Sequence, residues 1–271
     1  MITYLLDDTD ISPRVQTVLA QADALIERGH DVRIVTTADG PVTWRASRAA
    51  WELVDDLDPR GADVSSALRG RDVRAPHIIL DDTFPWSDFL IVDDAMYRPR
   101  TPREHEPLRV LLDGPGVANG YGAAAHARWF HQAFELIRVS PWAPSREEPL
   151  DSVQEFHVAL TTAEMTRLMH SCDVLVAPNH HQEGFGLPAA EALASGVPAV
   201  LTEIPSYLSW DETRDYALFA PEENAVELGE RLIEILSDAD LRERLRTRGR
   251  EVAEQWRATC VADRLEAFFR R

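Results

Sequence analysis

Hydrophobic and polar positions alternate regularly at the two ends of the chain and irregularly in between. An apolar run at 2–6 predicts a buried strand. Ser12 and Pro13 suit an N-cap and a first helical residue, and Val15, Val18, Leu19, Ala22, Leu25 and Ile26 follow at helical spacing up to Gly29. A second apolar run at 32–36 completes a βαβ unit, which implies a parallel sheet with a right-handed crossover. Between 38 and 107 the pattern weakens. It predicts a helix at 44–57, with Trp44, Ala50, Trp51 and Val54 inward, and short strands at 77–80 and 89–92. Pro99, Pro102 and Pro107, with charges between them, mark a linker. From Leu108 the βα alternation resumes. Strands are predicted at 108–112, 136–139, within 153–160, at 173–178 and at 199–202, with helices at 123–134, 163–171 and 189–195. Amphipathic helices at 224–236, 239–255 and 261–270 close the chain. The expected organisation is α/β, with a reduced N-terminal lobe and linker over 1–107 and a C-terminal lobe over 108–271.

The stretch from His180 to Pro198 carries the chemistry. It follows the buried strand at 173–178, and Gly184 and Gly186 flank Phe185 in a tight loop. Pro188 suits a helix start, Gly196 a left-handed C-terminal cap, and Pro198 a stop. This strand–loop–helix unit aims free N–H groups and a partial positive charge at the carboxyl edge of a sheet, which suits a phosphate. Two carboxylates, Glu183 in the loop and Glu191 in the helix, frame it. Without the loop they would read as a dipole partner and a solvated helix residue.

Composition narrows the partners. Of 271 residues, 28 are basic and 46 acidic, for a net charge of −18, which disfavours nucleic acid and anionic membranes. The basic residues are all arginine, so a mechanism that needs a lysine is excluded. Cys172 and Cys260 form no disulfide framework, and no apolar run approaches membrane-spanning length. These features predict a cytoplasmic protein.

The string Glu183-Gly-Phe-Gly-Leu-Pro188, with Glu191-Ala192, Ser195-Gly-Val-Pro198 and the preceding Ser171-Cys-Asp-Val-Leu-Val-Ala-Pro178, resembles the retaining GT-B glycosyltransferases of group 1, family four. The similarity runs from about Leu108 to the C-terminus, and the first βαβ unit resembles the start of that family's first domain. The resemblance implies two Rossmann-like lobes with parallel sheets and a cleft between them, the N-terminal lobe shortened. It implies transfer of a sugar from a nucleotide-diphosphate donor to a glycan, lipid or small-molecule acceptor, with retention, no metal and no further cofactor. By the same resemblance Glu183 faces the donor sugar and is the catalytic candidate. Glu191 holds the ribose hydroxyls, and Gly184, Phe185, Gly186 and Leu187 meet the sugar and diphosphate. His181 could face the same cleft.

The family's diphosphate-gripping arginine and lysine fall at Pro115 and Tyr121 if Gly114 and Gly122 mark its two glycines. Arg138 and Arg128 are candidate replacements, with an ion pair as the plainer role for each. A second reading therefore stands beside the enzyme: a nucleotide-sugar-binding protein without turnover, regulating a partner glycosyltransferase. A homodimer is also compatible. Asp8-Thr9-Asp10 fits a phosphatase nucleophile or a metal-binding pair less well than a helix-capping loop, since the phosphatase chemistry wants a downstream lysine. His180-His181 has no third ligand at zinc spacing.

Overall fold

The computed structural model describes residues 2–6, 8–37, 40–54, 78–80, 89–99, 104–114, 116–181 and 186–270. They fall into two compact units, residues 1–91 with 256–271, and residues 92–255. The first unit holds strands β1 (Ile2–Leu6), β2 (Val32–Thr36), β3 (Ala50–Leu53) and β4 (Ile78–Leu80), in the order β3-β2-β1-β4. All pair in parallel. Helix α1 (Pro13–Glu27) joins β1 to β2, and the Ser12 side chain accepts from the Val15 N–H at its start.

Four expectations change here. The predicted helix at 44–57 is a strand over Ala50–Leu53, paired with β2. Its cross-strand partners outweigh local helix propensity: Arg33 meets Glu52 at 2.8 Å, and the Trp44 indole donates to the Thr9 carbonyl. Residues 55–57 and His77 lie outside the described residues. The predicted strand at 89–92 is irregular although its apolar side chains are buried. Gln21, fully buried, accepts from the Tyr4 hydroxyl and donates to the Phe89 carbonyl at 2.7 Å, so a side chain takes a backbone bond that a ladder would otherwise fill. Finally, the C-terminal helix Ala258–Phe269, placed by the sequence in the C-terminal lobe, belongs to the first unit. Arg28 reaches Asp263 at 2.7 Å, His30 reaches Glu266 at 2.9 Å, and Phe89 packs edge-on against Phe268. The linker marked by Pro99, Pro102 and Pro107, expected with the first lobe, falls within the second unit, which starts at Val92. Its Glu104 pairs with Arg242 at 2.7 Å, and the His105 N–H and ring nitrogen reach Asp173.

The second unit is built on β5 (Leu108–Leu112), α2 (Val117–Trp129), β6 (Phe134–Ser140), β7 (Glu155–Val158), α3 (Thr162–His170) and β8 (Val174–Ala177). It continues through α4 (Leu187–Ser195), β9 (Ala199–Thr202), the short α5 (Pro205–Leu208), β10 (Leu218–Ala220), α6 (Ala225–Ser237) and α7 (Ala239–Ala253). The strands lie parallel in the order β10-β9-β8-β5-β6-β7. β10 has no counterpart among the predicted strands. The chain runs outward from β5 through β6 to β7, then crosses to β8 on the other side of β5. Loops leaving β5 and β8 therefore diverge at a switch point, where open α/β sheets form their binding crevices.

Helix α2 starts six residues before its predicted start and ends at Trp129, and Phe134, predicted helical, begins β6. Glycines at 120 and 122 argue against helix by propensity. Packing reverses that argument: a Cβ on Gly120 would lie 2.3 Å from Leu112 Cδ1, and one on Gly122 2.7 Å from the Ala225 Cβ. Gly229 on α6 likewise lies against His126, so the two helices approach through small residues. Apolar side chains from β5, β6, β8, α2 and α6 fill the core between them.

Candidate functional site at the carboxyl edge of the six-stranded sheet

The site grows from the loops at the β5–β8 switch point. Gly114 (φ +118°) and Gly116 follow β5, and Pro178 and Asn179 follow β8. A Cβ on Gly114 would meet the Asn179 Oδ1 at 2.2 Å, and one on Gly116 would meet the Pro178 carbonyl oxygen at 1.6 Å. At Gly116 the loops pack backbone against backbone, and at Gly114 the positive φ and the Asn179 side chain together favour glycine. The Asn179 carbonyl accepts from the Thr202 hydroxyl at the end of β9. Its side-chain oxygen, buried, has no hydrogen-bond partner among the described residues.

Helix α4 presents its N-terminus beyond β8. Gly186, the N-cap, is left-handed (φ +60°), and a Cβ there would collide with Tyr207 and Trp210 at 2.7 and 2.8 Å. Leu187 and Pro188 are the first two helical residues, so Pro188 lies one place later than the sequence suggested. Gly196 (φ +75°) ends the helix, with its N–H on the Leu193 carbonyl and the Val197 N–H on the Ala192 carbonyl. Buried Arg246 donates to the Gly196 carbonyl at 3.1 Å and anchors that end. In the first turn of α4 Pro188 has no N–H and the Ala190 N–H is bonded to the Gly186 carbonyl, so the N–H groups of Leu187 and Ala189 are the ones an anion could meet.

Of the residues expected to bind a donor, Gly186, Leu187 and Glu191 share α4. Glu191 is only 5% exposed, which removes the solvated-helix reading. Burial, then the charge of Glu191, pushes up the phenol of Tyr97, in the segment before β5. Glu183, Gly184 and Phe185 lie outside the described residues. His181 is turned to the loop after β10: its backbone N–H and Nδ1 both reach the Glu222 carboxylate, at 2.9 and 3.1 Å. Those hydrogen bonds hold the Glu222 carboxyl below its usual range.

Arg138 and Tyr121 come together on the other side of β5. Arg138, at the end of β6, is buried; its Nε meets Glu148 Oε1 at 3.1 Å, and its Nη1 donates to the Leu112 and Val139 carbonyls. The Tyr121 hydroxyl donates to the same Glu148 oxygen at 2.9 Å. Burial, then the Glu148 partnership, pushes the Tyr121 phenol up. Asp113 stands beside them. Burial lifts its carboxyl to about 6, against the opposing pull of the Arg138 charge and the Gly114 N–H. Arg138 is thus ion-paired with Glu148, and its charge also acts on Asp113. Arg128 is engaged elsewhere, on the Ser152 carbonyl, Gln154 and the Phe134 ring.

Sequence reasoning missed Asp113, Glu148, Asn179 and Tyr97. Asp113 was within reach, as a lone acid between a buried strand and a glycine-rich turn. Glu148 and Tyr97 lie in irregular segments with no periodic signal. Among the described residues no group of three or more His, Cys, Asp or Glu gathers as a metal site, and no helix is long and apolar enough to cross a membrane.

Residues 145–252 match the family model described as glycosyl transferases group 1. A phosphatidyl-myo-inositol mannosyltransferase of Mycobacterium leprae is 29% identical over 97 residues, which is 36% of this chain and 26% of the relative, so the match spans about a quarter of that relative's length. The fold of a sucrose-phosphate synthase from Thermosynechococcus elongatus superposes with a TM-score of 0.75 at 14% identity, covering 99% of this chain and 98% of that one. A structure of Anabaena HepE in complex with UDP and glucose gives 0.63 at 12% identity, covering 99% of both chains. The fold is thus the α/β, parallel-sheet fold of the GT-B glycosyltransferases. The matched stretch, 145–252, contains β8 and α4.

Proposed function

We propose that this protein is a glycosyltransferase that takes a sugar from a nucleotide-diphosphate donor and transfers it, with retention and without a metal, to a glycan, lipid or small-molecule acceptor. The donor lies at the β5–β8 switch point. One observation carries the reading: the N-terminus of α4, opened by left-handed Gly186, stands at the carboxyl edge where the glycine loop after β5 is packed against Pro178 and Asn179. Backbone N–H groups there stabilise the charge that develops on a leaving diphosphate. Glu191, buried on the same helix, takes the ribose hydroxyls, since a carboxylate offers two oxygens as acceptors. Glu183 is assigned to the donor sugar by the family resemblance alone. The UDP and glucose bound to the HepE structure support this assignment by likeness of fold.

A specific observation favours a second reading, a donor-binding protein without turnover. The place expected of the diphosphate lysine is held by Tyr121, and the nearest candidate arginine, Arg138, is already paired with Glu148. Donor hydrolysis and transfer by the wild type and by Glu183→Ala separate the two. Turnover that disappears in the variant is expected. Donor binding without turnover in the wild type, across acceptor extracts, would establish the second reading instead.

A further inference from the structure

Residues 104 and 105 dock at the amino edge of the six-stranded sheet, opposite the carboxyl edge that carries the candidate site. Two buried arginines of α7 receive Glu104, one helical turn apart. Arg242 Nη1 donates to the Ile235 and Leu236 carbonyls at 2.9 and 3.0 Å, in the last turn of α6. Arg246 Nε donates to the carbonyl of Gly196, the C-cap of α4, at 3.1 Å. Each guanidinium therefore covers the carbonyl end of a different helix, where aligned peptide dipoles favour a cation. Glu104 is a carboxylate the two share. Its oxygens take Arg242 Nε and Nη2 at 2.9 and 2.7 Å, and Arg246 Nη2 lies 3.7 Å from Oε1. Arg246 also meets Glu243, an exposed acid on its own helix. The neighbouring His105 presents its backbone N–H and Nδ1 to buried Asp173 at 3.3 and 3.0 Å. Asp173, which immediately precedes β8, also accepts from the Arg109 N–H at 2.8 Å. The segment leading into β5 is thus fastened to the far ends of α4 and β8, the two elements whose near ends make the candidate site.

We infer that Glu104 is a positioning residue for the donor site, acting through Arg246 on the C-terminal end of α4. It thereby couples the seating of residues 104–109 to the anion met at the N-terminal end of that helix. The inference rests on the proposed donor role of the α4 N-terminus. Loss of the Glu104 charge leaves two buried guanidiniums without their common counter-charge, and Arg246 then holds Gly196 less firmly. Coupling of this kind is reciprocal. If unseating 104–109 weakens nucleotide binding, bound nucleotide must hold 104–109 in place more firmly.

Hydrogen exchange of the wild-type full chain, read by mass spectrometry with and without saturating UDP, GDP or ADP, tests this without a substitution. The nucleotide that binds should slow exchange in the peptide carrying the His105 and Arg109 N–H groups about fivefold more than it slows the strands of the first unit. In Glu104→Gln the affinity for that nucleotide, by calorimetric titration, should fall about fivefold. Exchange at the end of α4, where the Val197 N–H is bonded to the Ala192 carbonyl, should quicken in the same variant. Uniform slowing in the wild type reports only global stabilisation and overturns the inference. A Glu104→Gln chain that melts earlier but binds nucleotide as the wild type does overturns it too, and leaves the donor site standing. Failure of the wild type to bind any of the three nucleotides removes the donor reading, and this inference with it.

Discussion

The carboxyl edge of the six-stranded sheet ends in two unlike surfaces on either side of β5. Toward β8 it is made of backbone: two glycine-dependent loop contacts and the N-terminus of α4. Toward β6 it is made of side chains that satisfy one another, Arg138 and Tyr121 both on Glu148, with Asp113 alongside. The difference teaches where an anion can be held in a chain with no lysine. Among the described residues the α4 N-cap, Gly186, supplies no side-chain cap, whereas the buried guanidinium of Arg138 is already paired with Glu148. Under the proposed function the backbone side carries the diphosphate, and the β6 side shapes the edge of the site.

Breaking the β6 side should cost most. Arg138→Ala removes the buried cation that pairs with the largely covered Glu148 carboxylate and is expected to lower stability by about 3 kcal/mol, read as a shift in urea midpoint at constant slope. On the β8 side, Gly116→Ala drives a methyl into the Pro178 carbonyl. It should lower stability by about 3 kcal/mol and abolish nucleotide binding; a variant that binds normally would show that the loop contact is not part of the site. The pH dependence sharpens the contrast. The Asp113 carboxyl is raised in the folded state to about 6 from an ordinary 3.8, so the folded state holds the extra proton between those values. Stability should therefore decline as pH rises from about 4 to about 6 and level off above, by up to about 3 kcal/mol, and Asp113→Asn should flatten that slope. Smallest is Glu148→Gln, which keeps hydrogen bonding to Tyr121 and Arg138 but removes a charge. Pyrophosphate should bind about fivefold more tightly, corresponding to about 1 kcal/mol. An unchanged affinity would place the anion out of reach of the β6 side.

Much of the second unit was legible because its signals are local. A buried parallel strand reads as an apolar run, and α4 is punctuated by Pro188 and Gly196, so both appear where the pattern puts them. Features fixed by distant partners were not legible. α2 tolerates Gly120 and Gly122 because Leu112 and Ala225 leave no room for a side chain, and nothing near those glycines says so. β3 exists through its pairing with β2, and the C-terminal helix joins the first unit through ion pairs with Arg28 and His30. The site divides the same way. The glycine loop and Glu191 follow from a contiguous string, while Glu148, the partner of Arg138 and Tyr121, and Tyr97 come from segments with neither period nor motif.

The most direct measurement is the melting temperature of the wild-type chain with UDP, GDP and ADP at millimolar concentration. A ligand that binds only the folded state must stabilise it, by about 2.7 kcal/mol at one hundred times its Kd. The expected result is a rise of about 5 °C or more with at least one of the three. No shift with any of them would contradict a nucleotide-diphosphate site at the β5–β8 edge.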